Sequence, residues 1–111
     1  MAENDQNLRA EGEAADRETV LRREYHAQTA KVRWHELQVA YARGRLVTVE
    51  TGMNLVEVAV QLGLDNTAVF RDWIASGRIA HVSDELAEDW SIDDRELWAV
   101  VAPPWVLVQS T

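Results

Sequence analysis

The residues able to do chemistry in this chain are few, and their spacing argues against most reactions. His35-Glu36 opens like the zinc motif His-Glu-x-x-His, but position 39 is Val39, so the second imidazole is missing. His26, His35 and His81 are scattered, and no two fall at the i, i+4 spacing that puts two ligands on one helix face. Asp84/Glu88 and Glu85/Asp89 do have that spacing, but without the alternating oxygens and central glycine of a calcium loop they read as a solvated acidic face. There is no Gly-x-Ser-x-Gly, no phosphate-binding Gly-x-x-x-x-Gly-Lys and no Gly-x-Gly-x-x-Gly. Cysteine is absent, which removes disulfides, thiolate ligands and thiol nucleophiles together. The expectation is therefore a protein that is not an enzyme, with no catalytic residue, no metal site and no cofactor.

Two binding chemistries remain. From Asn54 to Ile79 the apolar spacing is that of two short helices joined by a tight turn, with Ala59 and Gly63 where a helix-turn-helix needs small residues. On the second helix Asn66, Thr67 and Arg71 are the candidate contacts to bases or phosphates. Asp65 and Asp72 share that face with Phe70, and they would repel a phosphate backbone. Ordinary packing of two helices explains the small residues equally well. The other chemistry is apolar association through Trp105, Val106 and Val108, on a strand read as lying at a sheet edge near the C-terminus. An uncovered edge of that composition pairs readily with another chain, so the partner is expected to be a protein or a second copy forming a homodimer. Covering by the chain's own first helix is the alternative.

Charge separates these two. With 11 Lys and Arg against 19 Asp and Glu, the net charge is −8, so nucleic acid is a disfavoured partner. The charge is uneven: residues 22–45 hold six cations against two carboxylates, and residues 83–96 hold seven carboxylates against one arginine. Two solvated faces, one segment lying on the other, a cationic surface for a polyanion, or head-to-tail pairing between chains would each account for this.

The elements that must position these residues follow from the local pattern. The 111 residues suffice for one domain, and 47% hydrophobic content supports a core. Residues 1–16 are acidic, polar and without apolar period, and read as a disordered tail before a single domain over 17–111. Val20, Leu21, Tyr25, Gln28 and Val32, then Trp34, Leu37 and Tyr41, keep a helical period up to Gly44, as one long helix or two with a bend near residues 29–33. Residues 45–50 are β-branched and flanked by glycines, a strand. Asn54 with Glu57 three residues on forms an Asn version of a capping box, Gly63 closes that helix, Asp65 or Asn66 caps the next and Gly77 closes it. Ile79 to Val82 is a short strand, Ser83 caps an acidic helix with Leu86, Ala87 and Trp90 inward, and residues 97–101 and 105–108 are strand-like around Pro103-Pro104. Of five tryptophans, Trp34, Trp73, Trp90 and Trp98 fall on expected apolar faces. The fold class is α+β: four or five short helices on a small, mostly antiparallel sheet. The first residues carry no apolar segment, and the longest apolar run is broken by the prolines, so the expectation is a cytoplasmic protein without membrane association.

Residues 29–34 (Thr-Ala-Lys-Val-Arg-Trp), Glu36-Leu37, Tyr41 to Gly44, Leu55 to Ala59, the Trp73…Gly77 spacing and above all Leu97 to Gln109 (Leu-Trp-Ala-Val-Val-Ala-Pro-Pro-Trp-Val-Leu-Val-Gln) resemble a family of small bacterial proteins catalogued as domain of unknown function 2288. The resemblance spans about Thr29 to Gln109. It implies a bacterial cytosolic protein and brings no activity, cofactor or site residue with it. The preferred function is a non-enzymatic protein-interaction or regulatory module; the alternative is a helix-turn-helix DNA-binding protein.

Overall fold

The computed structural model describes residues 17–111; the acidic segment 1–16, read above as a tail, lies outside the described residues. Ten elements follow in order: α1 (17–28), β1 (Ala30–Arg33), α2 (Trp34–Ala42), β2 (Leu46–Val49), α3 (Leu55–Gly63), α4 (Thr67–Ala75), β3 (Ile79–His81), α5 (Asp84–Ile92), β4 (Glu96–Ala102) and β5 (Trp105–Ser110). The five strands form one sheet in the order β1-β4-β5-β2-β3. Every pairing is antiparallel except β2 with β5. The α+β class expected from the sequence is the class observed, with five helices.

Helices cover both faces of the sheet. On one face Trp34 and Leu37 of α2 and Ala87 and Trp90 of α5 bury against Leu46, Leu97, Ala99 and Val108. On the other, Leu55, Val58 and Ala59 of α3 bury against Val47, Val49, Val100 and Leu107, flanked by Tyr25 of α1 and by Phe70 and Trp73 of α4. Two covered faces explain why Leu107 and Val108 are both fully buried although they point to opposite sides.

That arrangement corrects the expectation of a C-terminal edge strand. β5 is the middle strand, bonded to β4 on one side and β2 on the other, so its backbone offers nothing to a partner. Pro103 and Pro104 form the two-residue turn between Ala102 and Trp105, where no ladder bond is lost. The edges are instead β1, which carries Lys31 and Arg33, and the three-residue β3; short length and charge both oppose strand addition.

The stretch read as one long helix, or two with a bend near residues 29–33, forms two helices with a strand where the bend was expected. α1 stops at Thr29, whose N–H and hydroxyl both donate to the Tyr25 carbonyl, and residues 30–33 then pair with β4 as Ala30–Ala99 and Val32–Leu97. Pairing with the otherwise open edge of β4 outweighs the helical spacing. α2 begins at once, its first amides held by another element: Trp34 N–H donates to the Arg95 carbonyl and His35 N–H to Asp94.

Capping was legible locally. Asn54 accepts from Glu57 N–H, Asn66 from Val69 N–H and Ser83 from Leu86 N–H. The left-handed residue between α3 and α4 is Asp65, at φ 55°, and not Gly63. Gly63 answers a different need. A side chain there would meet Leu21 Cδ1 and the Tyr25 hydroxyl at 3.1 Å, so its absence lets α1 lie on the end of α3.

Candidate interaction site

None of the side chains of α4 is buried. Its start is fixed by Asn66, which caps the helix through Oδ1 and donates from Nδ2 to Gln61 Oε1 at 2.8 Å. Gly77 closes it in the left-handed region at φ 77°, where Arg78 N–H reaches back to the Trp73 carbonyl. The chain then enters β3. Between these constraints the helix lies over the β2–β3 side of the sheet, with Phe70 and Trp73 half-buried and edge to face at 6.2 Å. Phe70 was expected on the exposed face, with Asp65 and Asp72. The structure packs Phe70 against the core and leaves Ile74 56% exposed.

A groove of about 330 Å³ opens between α4 and the start of β5, with Leu62, Phe70, Ile74 and Trp105 as its apolar lining. Gln61, Asp65, Asn66, Thr67 and Arg71 form its polar side. It continues past Trp105 to Val47, Ile79 and His81, where the His81 and Trp105 rings meet edge to face at 5.6 Å. The structure thus brings together residues that the sequence assigned to rival functions. Trp105 and the trio Asn66, Thr67 and Arg71 line one groove.

The other two candidates separate from it. Val106 points to the opposite face, beside Val39 and Val101, which are 62% and 51% exposed, and beside the prolines of the turn. Val108 is fully buried and unavailable to any partner. Asn66 is committed to its cap and to Gln61, which leaves Thr67 and Arg71 as the exposed members of the trio. Sequence reasoning missed Ile74 and His81. Ile74 sits four residues after Phe70 on the same helix face, a signal that was present; His81 reaches Trp105 only through the β2–β3 and β2–β5 pairings.

Two of the six cations in the basic stretch 22–45 are paired with carboxylates. Arg22 is bound to Glu18 and Glu57, Lys31 lies 3.9 Å from Glu96, and Lys31 and Arg33 sit on the far edge strand from α4. The Glu57 hydrogen bonds hold the Arg22 guanidinium above its ordinary range, while Arg22 in turn lowers Glu57. His35 is tied by Nδ1 to Asp94 at 2.8 Å, and hydrogen bonds from the His35 ring and N–H lower the Asp94 carboxyl. Trp98, expected in the core, is 38% exposed with Lys31 Nζ 5.2 Å from its ring centroid. Among the described residues no group of three His, Asp or Glu side chains is placed to hold a metal ion, and no helix is long and apolar enough to cross a membrane.

No curated protein matches the chain. Among solved structures, the solution NMR structure of PA1075 from Pseudomonas aeruginosa is similar, with 37% sequence identity and a TM-score of 0.72 over 82% of this chain and 84% of that one. The family model described as protein of unknown function, DUF2288, matches residues 20–110, nearly the whole of the described fold. The chain belongs to the DUF2288 family.

Proposed function

We propose that this protein is a non-enzymatic interaction module of the bacterial cytosol that accepts an apolar segment of a protein partner in the groove between α4 and β5. The observation that supports this reading is Ile74, more than half exposed beside Phe70 and Trp105, on a helix that buries no side chain of its own. Apolar side chains gathered in a shallow open groove contribute affinity when a partner removes them from water. The ionisable side chains lining the groove are Asp65, Arg71 and, in its continuation, His81, a lining that supports binding over catalysis.

A photo-crosslinking residue at position 74, in cells producing the full chain, tests the reading. Discrete adducts are expected, and Trp105→Lys in the same chain should abolish them. An adduct of twice the chain's mass would identify a second copy as the partner. Uncrosslinked monomer alone, at full expression, would remove the groove as an interaction site.

DNA binding remains the alternative because Thr67 and Arg71 are exposed on the second of two helices joined by a three-residue turn. The local setting is acidic and apolar, which disfavours it. Fluorescence anisotropy of a labelled duplex at low salt decides: salt-sensitive binding lost in Arg71→Ala would replace the protein-partner reading.

A further inference from the structure

α2 covers only part of its sheet face. Trp34 and Leu37 turn one side of the helix to the core, and beyond them the sheet continues through Val101 and Val106, cross-strand partners on β4 and β5. Val101 stands two residues past Ala99 on the same face of β4, yet it is 51% exposed while Ala99 is buried. Along this flank of α2 two cavities of about 240 and 250 Å³ follow one another and share Ala40, Val101 and Val106. They make one apolar strip, which Val39, 62% exposed, extends onto the outer side of the helix. Valines gathered in this way gain by leaving water.

The charges at the two ends of the strip say what covers it. Glu36 lines the first cavity, and Arg43 and Arg45 line the second. Glu36, Ala40 and Arg43 fall at i, i+4 and i+7 along one side of the helix, about 10 Å from end to end, with Val39 and Ala40 midway. Among the described residues neither Arg43 nor Arg45 forms an ion pair. Glu36 accepts the Arg33 N–H through Oε2, an exposed bond that leaves its second oxygen able to accept. Two copies of net charge −8 repel overall, so they associate only where local charge is balanced. A negative end, an apolar middle and a positive end meet that need: turned by 180° about its middle, the pattern faces its own opposite.

We propose that the strip beside α2 is closed by a second copy of this chain, related by a twofold axis. The two α2 helices run antiparallel, Glu36 of each copy pairs with Arg43 of the other, and Val39 of each covers Val101 and Val106 of the other. Arg45, at the same end as Arg43, adds to the attraction. The pairing uses side chains of α2 and the sheet face and needs no strand edge, in keeping with the central place of β5. It leaves the α4 groove, which shares no lining residue with the strip, open on both copies.

Sedimentation equilibrium of the full chain, from micromolar to millimolar concentration, is the test. A monomer–dimer equilibrium is expected. Val39→Glu, at an exposed position the fold does not need, sets a carboxylate from each copy near the axis and should weaken the dimer at least roughly tenfold. Arg43→Glu should weaken it similarly, because each Glu36 then faces a second carboxylate. Adding Glu36→Arg to that variant exchanges the two ends and should restore the dimer, a rescue that a misfolded chain would not show. Monomer at every concentration would overturn the proposal and leave the strip to a different protein. So would a dimer indifferent to Val39→Glu, or one that Arg43→Glu weakens and the exchange does not restore.

Discussion

Arg22 reaches across from α1 and donates from Nε and Nη2 to the two carboxylate oxygens of Glu57, at 2.5 and 3.0 Å. Glu57 stands in the first turn of α3, where the local pattern assigns its carboxylate to a capping box with Asn54. Only half of that box forms. Asn54 accepts from Glu57 N–H, while the carboxylate goes to Arg22, so a residue suited to closing its own helix ties a second helix to it.

This pairing makes the attachment of α1 depend on pH. Arg22 holds Glu57 below its ordinary value of 4.5, so the contribution is present above that value and is lost as pH falls through the lowered one. Asp94, lowered by His35, behaves in the same sense. Both pairs are largely solvent-exposed, so the effect on melting temperature is small. Glu57→Gln should speed amide exchange in α1 at neutral pH and leave it unchanged relative to wild type in acid. Equal exchange at neutral pH would show that the pair does not hold the helix.

Gly63 tests the same contact sterically. Gly63→Ala adds a methyl 3.1 Å from Leu21 Cδ1 and the Tyr25 hydroxyl, both at the ends of half-buried side chains that can shift. The gain in helix propensity, about 1 kcal/mol, then nearly offsets the crowding. Gly63→Leu cannot be accommodated that way and should release α1 from α3. Exchange protection of residues 17–28 distinguishes the two variants.

The central place of β5 predicts a contrast between neighbours. Leu107→Ala should cost about 2–5 kcal/mol, a large part of the roughly 5–15 kcal/mol that holds a domain of this size together. Val108→Lys buries an unpaired charge and should prevent folding. Val106→Lys, at a half-buried position where the stem can carry the ammonium to solvent, should fold with a modest loss. Similar denaturant midpoints for the two lysine variants would contradict the strand order.

Asn66 anchors α4, which has no buried side chain to hold it. Asn66→Ala removes the cap and the bond to Gln61, at a cost of about 1 kcal/mol. The loss should appear as fraying of residues 67–70 by amide exchange and as a weaker groove, since Thr67, Phe70 and Arg71 line it. Unchanged protection there would mean that packing on the sheet alone fixes the helix.

What the sequence by itself determined was local. Asn54, Asn66 and Ser83 cap the helices they precede, Gly44 and Gly77 end α2 and α4, and residues 46–49 form a strand, because each depends on contacts within a few residues. The missing second ligand after His35-Glu36 was equally legible, and His35 instead bonds Asp94, 59 residues away. Only the tertiary structure decided what depends on distant pairing. The Trp-Val-Leu-Val string suits an edge strand with one wet face or a central strand with none, and only the helices arriving on both sides make it central. Residues 30–33 carry a helical period, yet they become strand because β4 leaves an edge to cover. Trp98 shares a face of β4 with the buried Val100 and Ala102 yet stays 38% exposed, and Trp105 meets Phe70 and Ile74 through an element more than thirty residues earlier. The α4 groove lies where such distant segments meet, and for that reason its residues were legible one by one but their convergence was not.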